Sequence, residues 1–238
     1  MKLCILDNDI LEGQLGATYE SFGAMFIRLF RGVGANWTMD VYNTQHGQYP
    51  ASFDAYDAVL LTGSRADSFS DEPWVVELRK RVGELLRQKK KMVGVCFGHQ
   101  LIAYCLGAPV GRAPQGWGVG RLTYDWHRPD LPHQGERTQI SLLASHQDQV
   151  FEVPHGASLV ASNEFCPVAA FTVGDAVFCI QPHPEFEEAL SEHLMDKRRD
   201  LIGEDKYQAA RASLVHGHEG EDVARMIVAF LEGRPATA

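Results

Sequence analysis

The chain has 238 residues, 45% of them hydrophobic and 22% charged, which are values of an ordinary globular protein and exclude a disordered or fibrous polymer. Its 22 Lys and Arg against 31 Asp and Glu leave a net charge of −9, so the surface would repel a nucleic-acid backbone or an anionic membrane. Five widely spaced cysteines with no C-x-x-C pair argue against a disulfide framework or a structural zinc site, and point to a reduced, cytoplasmic protein. The apolar start of the chain is too short and too soon charged for a signal peptide, and no run approaches the roughly 18 apolar residues of a membrane span.

In chain order, Leu3-Cys4-Ile5-Leu6 reads as a buried strand entering the polar loop Asp7-Asn8-Asp9. Tyr19, Phe22, Phe26 and Leu29 then fall at helical spacing, with Gly32 and Gly34 to stop the helix. Trp37 to Tyr42 and Ala58 to Leu61 read as the next strands, the second ending in the turn Thr62-Gly63-Ser64. Pro73 opens a helix, and Lys89-Lys90-Lys91 at its far end suits the dipole of that helix. Met92 to Val95 is a fourth buried strand, followed by Cys96 and a helix through Leu106.

Strands alternating with helices over these hundred residues predict βαβ units and a doubly wound, mostly parallel α/β sheet flanked by helices. Closely spaced strand candidates follow at Gly118–Tyr124, Thr138–Leu143, Ala157–Ser162, Pro167–Thr172 and Ala176–Gln181, an antiparallel extension with a hairpin turn at Gly174-Asp175. From Glu187 the chain is charged and helical, with Val223, Met226, Ile227 and Phe230 on one apolar face before a Gly-Pro tail. No repeat or linker interrupts the chain, so residues 1–238 read as a single domain, with a core of about 1–186 and a helical extension at 187–238.

Gly94-Val95-Cys96-Phe97-Gly98 is a strand, a sharp G-x-C-x-G turn and a helix, the nucleophile-elbow pattern with cysteine in place of serine. With 22 Gly and 5 Cys in the chain, chance supplies this pattern about 0.04 times. A helix N-terminus behind Cys96 favours thiolate and offers free N–H groups to an oxyanion. A thiolate nucleophile needs a base, and the base needs orienting. Gln181-Pro182-His183-Pro184-Glu185 supplies both directly after a strand, because His183 and Glu185, two residues apart in extended chain, can point the same way.

Gly94 to Gln100 and Gln181 to Glu185 resemble the signature motifs of class I (triad) glutamine amidotransferases, closest to the glutaminase domain of GMP synthase and its stand-alone relatives. Ser145-His146-Gln147-Asp148 resembles the family's Ser-His-Gly-Asp segment, and Cys166 to Phe171 the strand leading to the histidine hairpin; the likeness spans roughly residues 1–186. The resemblance implies a flavodoxin-like α/β fold with Cys96 as nucleophile, His183 as general acid/base and Glu185 orienting His183. It further implies an oxyanion hole from Phe97 N–H and the Gly63-Ser64 turn, with Gln100 and the backbone around Ser145, His146 and Gln147 holding the amino-acid end of glutamine. Two positions depart from the family: Thr62-Gly63-Ser64 stands where Pro-Gly-Gly is common, and Gln147 replaces the glycine.

The implied chemistry is attack of the thiolate on the side-chain amide of glutamine, release of ammonia and hydrolysis of a γ-glutamyl thioester, with no metal or organic cofactor. A synthase subunit is the implied recipient of the ammonia, and homo-oligomers remain open. The alternative is a γ-glutamyl peptide or amide hydrolase or transferase with the same triad, which needs a pocket open on the leaving-group side. A catalytically silent binding module is the third reading, and intact Cys96, His183 and Glu185 argue against it.

Overall fold

A computed structural model of the chain describes residues 1–128 and 138–233. Its elements run β1 (Lys2–Asp7), α1 (Gly13–Tyr19), α2 (Phe22–Gly32), β2 (Thr38–Asn43), β3 (Ala58–Leu61), α3 (Pro73–Arg87), β4 (Lys91–Val95) and α4 (Phe97–Cys105). Then follow β5 (Val110–Arg112), β6 (Gly118–Trp126), β7 (Gln139–His146), β8 (Asp148–Val150), β9 (Ser158–Ser162), β10 (Ala170–Val173) and β11 (Val177–Ile180). The extension contains α5 (Glu188–Lys197), α6 (Arg199–Ile202), α7 (Glu204–Ser213) and α8 (Gly220–Glu232).

Nine strands form one sheet in the order β2-β1-β3-β4-β11-β10-β9-β6-β7, and β5 and β8 make a separate ribbon. The strands from β2 through β11 are parallel, whereas β10, β9, β6 and β7 pair antiparallel. Side chains alternate across a strand, so Leu3 and Ile5 of β1 join a core with α2 and α8 on one face. Cys4 and Leu6 join a second core with α3 and α4 on the other face. Both faces are covered, which is why β1 and β3 read as unbroken apolar runs.

The expected helix around Tyr19 to Leu29 is two helices. Glu20 takes a left-handed φ of 65°, and Ser21 starts α2 by accepting a hydrogen bond from Ala24 N at 3.1 Å. The lysine run also has a different role from the one expected. α3 ends on Arg87, Lys89 adopts φ 54°, and Lys91 lies in β4 with Nζ donating to the carbonyls of Phe230 and Leu231 at 3.2 and 3.0 Å. It thus serves the C-terminus of α8, an interaction worth about 0.3–1 kcal/mol. The Gly174 turn joins β10 to β11 with φ 53°, while Pro167 to Ala169 precede β10 without belonging to it. Beyond Gly233 the expected tail lies outside the described residues.

β11 positions the site. The chain leaves β4, builds α4 and six further strands, and returns to pair parallel with β4, Ile180 opposite Val95. Residues 181–185 therefore emerge beside the residue that follows β4. A third apolar cluster, which includes Leu15, Phe22, Phe186, Leu190, Met195 and Tyr207, seats the extension over this end of the sheet. Each such buried side chain contributes about 1.5–3 kcal/mol. Among the described residues no helix is long and apolar enough to cross a membrane.

Candidate active site

Cys96 heads α4 with φ 51° and ψ −103°, a conformation that costs a side-chain-bearing residue about 1–3 kcal/mol. The surrounding backbone holds it there: Cys96 N donates to Ile180 O at 2.9 Å, and Gly98 N to Thr62 O at 3.2 Å. The two glycines of the elbow are required by close approach. A β-carbon on Gly94 would lie 2.6 Å from Gly98 O, and one on Gly98 would lie 2.5 Å from Leu61 O. At the first helical position, the Phe97 N–H has no intrahelical acceptor.

His183 follows β11 and is fastened by its own N–H to Leu143 O at 2.9 Å. Its ring stacks on Phe186 with centroids 3.8 Å apart, and Nδ1 meets Glu185 Oε1 at 2.7 Å. With Nδ1 engaged by Glu185, Nε2 is the ring nitrogen left for Cys96, which borders the same cavity as His183. Cys96, His183 and Glu185, expected together from sequence, are thus neighbours, with Glu185 bonded to the imidazole that borders the Cys96 cavity. Glu185 is buried, and its Oε2 has no hydrogen-bond partner among the described residues.

Electrostatics sort the nearby histidines. Burial opposes protonation of His183, but the charges of Glu185 and Cys96 outweigh it and raise the ring to about 10. His99, packed on Phe171 at 5.1 Å, and His146 have no such carboxylate, and burial pushes them down to about 3 and about 4. Of these three, His183 alone is therefore held as imidazolium near neutral pH. Burial raises the other thiols: Cys4 and Cys166 to about 12, Cys105 to about 11, and Cys179 well above its ordinary value.

The Gly63-Ser64 turn lies against the pair, since a β-carbon on Gly63 would stand 2.8 Å from His183 Cε1 and 3.6 Å from Cys96 Cβ. The loop after β1 secures that turn. Asn8 N donates to Thr62 Oγ1 at 2.9 Å, and Arg65 N to Asp9 Oδ2 at 2.8 Å. Thr62, which departs from the family pattern, has its hydroxyl in this buried network. Asp9 and Arg65 also form an ion pair of 3.2 Å. Their sequence signal was no more than a polar stretch after a strand.

Two lobes of a cavity meet at Cys96. One, of about 180 Å³, is lined by Gln100, Trp117, Ser145, His146, Gln147 and Asp148. The other, of about 140 Å³, is lined by His183, Phe186, Asp9, Ile10, Leu11, Glu12 and Lys197. Ser64, Arg65, Cys96, Ser145 and Arg198 border both. The four expected substrate-side residues therefore share the first lobe, though the side chains of Gln100, Ser145 and His146 are already engaged. Gln100 Nε2 donates to Asp148 O at 2.8 Å and Gln181 Oε1 at 3.1 Å. His146 Nδ1 pairs with Asp148 O at 3.0 Å, and Ser145 Oγ accepts from Arg198 at 2.7 Å. Sequence reading missed Arg198, which sits in a basic run of the extension and belongs to no motif.

A family model described as glutamine amidotransferase class-I matches residues 17–198. The chain is 35% identical over 188 residues to gamma-glutamyl peptidase 3 of Arabidopsis thaliana, covering 76% of this chain and 75% of that protein. It is 30% identical over 226 residues to gamma-glutamyl peptidase 2 of the same plant, covering 91% and 90%. A glutamine amidotransferase from Thermotoga maritima has the same fold, with a TM-score of 0.75, 21% identity and coverage of 97% and 96%.

Proposed function

We propose that this chain, which belongs to the class I glutamine amidotransferase family, hydrolyses the γ-amide bond of γ-glutamyl peptides. The observation that carries the reading is the lobe on the His183 side of Cys96. A glutaminase expels ammonia, a molecule no larger than water, whereas this lobe offers about 140 Å³. Its lining mixes Ile10, Leu11 and Phe186 with Lys197 and Glu12, a surface suited to an amino acid or short peptide with an apolar body and charged ends. The two plant relatives named as gamma-glutamyl peptidases support the same chemistry.

In this reading the γ-glutamyl group occupies the Gln100–Ser145 lobe and the leaving amino acid or peptide the His183 lobe. The Cys96 thiolate adds to the γ-carbonyl carbon, and the carbonyl π electrons move onto oxygen. Phe97 N–H and the Gly63-Ser64 backbone stabilise that oxyanion. When the C–N bond breaks, its electron pair stays on nitrogen and His183 supplies the proton, so the amine departs neutral and a γ-glutamyl thioester remains. His183, now neutral, removes a proton from water as the oxygen attacks the thioester, and glutamate leaves with the thiolate restored. Glu185 keeps the imidazole oriented and favours its charged form through both steps. Glutamine is the smallest substrate of the same site, and ammonia needs no recipient subunit.

The test is steady-state hydrolysis by the purified chain of γ-glutamylalanine, γ-glutamylcysteinylglycine and glutamine, followed by amino-acid and ammonia analysis. Peptides should exceed glutamine in kcat/KM by tenfold or more. Equal or faster turnover of glutamine would restore the plain glutaminase reading.

A further inference from the structure

The run Lys197-Arg198-Arg199 crosses the junction of α5 and α6, and its three cations have different fates. Lys197 is exposed, and Arg199 points outward, donating from Nε and Nη2 to Glu204 at 2.7 and 2.5 Å. Arg198 turns inward. Its Nη1 donates to Ser145 Oγ at 2.7 Å, and its guanidinium carbon lies 5.1 Å from the centre of the Trp117 ring.

What sets Arg198 apart is that no carboxylate among the described residues forms an ion pair with it, the charges of Cys96 and Asp9 acting only from farther off. Three guanidinium groups border the lobe that contains Trp117 and Gln147. Arg65 is paired with Asp9 at 3.2 Å, and Arg112 with Asp67 and Asp148 at 2.9 and 2.7 Å. Arg198 has no carboxylate within ion-pair distance among the described residues, although it is half-buried. Withdrawing such a charge from water without a partner is unfavourable, and burial pushes its pKa down. A guanidinium also presents five N–H donors in a planar fork, the geometry that matches a carboxylate. The single bond to a serine hydroxyl leaves that fork open at the cavity.

Resting on the γ-glutamyl reading above, we infer that Arg198 recognises the α-carboxylate of the γ-glutamyl group and so selects this acyl group over shorter or uncharged amides. The side of Cys96 on which it works follows from its neighbours. Trp117 lines only the lobe that contains Gln100 and Gln147, and the guanidinium lies between the Trp117 ring and Ser145 Oγ. His183, which must protonate the leaving amine, lines only the other lobe. The acyl group and its α-carboxylate therefore lie on the Trp117 side.

Three substrates separate the ends of the molecule: γ-glutamylalanine, the same compound with its glutamyl α-carboxylate converted to carboxamide, and the same compound amidated at the alanine carboxyl. Arg198→Gln should lower kcat/KM for γ-glutamylalanine about a hundredfold, chiefly through KM, and lower it equally for the alanine amide. The α-carboxamide substrate, poor with the unaltered enzyme, should lose less than threefold. Arg198→Lys, which keeps the charge without the fork, should fall between and supplies the same comparison if the glutamine variant does not fold. A loss of equal size on all three substrates would show a structural role and overturn the inference. So would insensitivity confined to the alanine amide, which would move the arginine to the leaving-group end. If the unaltered enzyme turns over no γ-glutamyl compound at all, the functional reading fails first and takes this inference with it.

Discussion

A β-carbon on Gly63 would stand 2.8 Å from Cε1 of His183, closer than such atoms pack. The strand-end turn and the imidazole are therefore fitted to each other through a missing side chain. Gly63→Ala should displace the ring from the Cys96 sulfur. Because shifts of about 1 Å at a reacting group cost on the order of a hundredfold in rate, kcat should fall by that order with little change in melting temperature. A near-normal kcat would show that the turn moves instead of the ring.

The elbow thiol should be chemically distinct from the others. Burial raises Cys4 and Cys166 to about 12 and Cys105 to about 11, and these have no imidazolium partner. A diazoketone analogue of glutamine should label Cys96 alone near neutral pH, and γ-glutamylalanine should protect it. Mass spectrometry of digested protein reads the site directly. Stoichiometric label in the Cys96→Ser variant, or on Cys166, would mean that another thiol is the nucleophile.

Glu185 and Cys96 hold His183 protonated up to about pH 10. The alkaline limb of kcat/KM should therefore lie high, and Glu185→Gln should bring it down by removing a buried negative charge. His183→Ala should cost more activity than Glu185→Gln, since the carboxylate orients the ring and does not itself transfer the proton. The same shift affects folding. His183 is raised above its unfolded value of about 6.5, so its contribution is fully present below that pH and disappears as pH rises toward about 10. A pH–rate profile of both variants, with melting curves from pH 6 to 10, checks the two statements together.

His99 behaves in the opposite sense. Burial depresses it to about 3, so the unfolded chain takes up a proton below about pH 6.5 that the folded chain refuses. Stability contributed by the neutral ring is present above that pH and is lost as pH falls toward 3. His99→Leu should therefore lose less melting temperature than the unaltered protein between pH 7 and pH 4. Parallel losses in the two proteins would place the acid-sensitive group elsewhere.

Much of this site could be read from one dimension because its local geometry is encoded by residue type. A strand, two glycines around a cysteine, and a helix specify an elbow wherever they occur, since only glycine tolerates the approach of Leu61 and Gly98 to the turn. Likewise, His183 and Glu185 are brought together by a two-residue spacing in extended chain, and the apolar runs of β1, β3 and β4 show strands covered on both faces. Other features depended on distant parts of the chain. The break at Glu20 and Ser21 lies inside a continuous helical periodicity, and Lys91 finds its carbonyls 139 and 140 residues away on α8. Asp9 acquires its role from Arg65 once β1 pairs with β3, and Arg198 acquires its role from Ser145 and Trp117 once the extension folds over the sheet. A charged side chain in an exposed-looking run has the same sequence signature whether it faces water or a cavity, and Arg198 is directed inward by the packing of the extension, whose Leu190, Met195 and Tyr207 are buried.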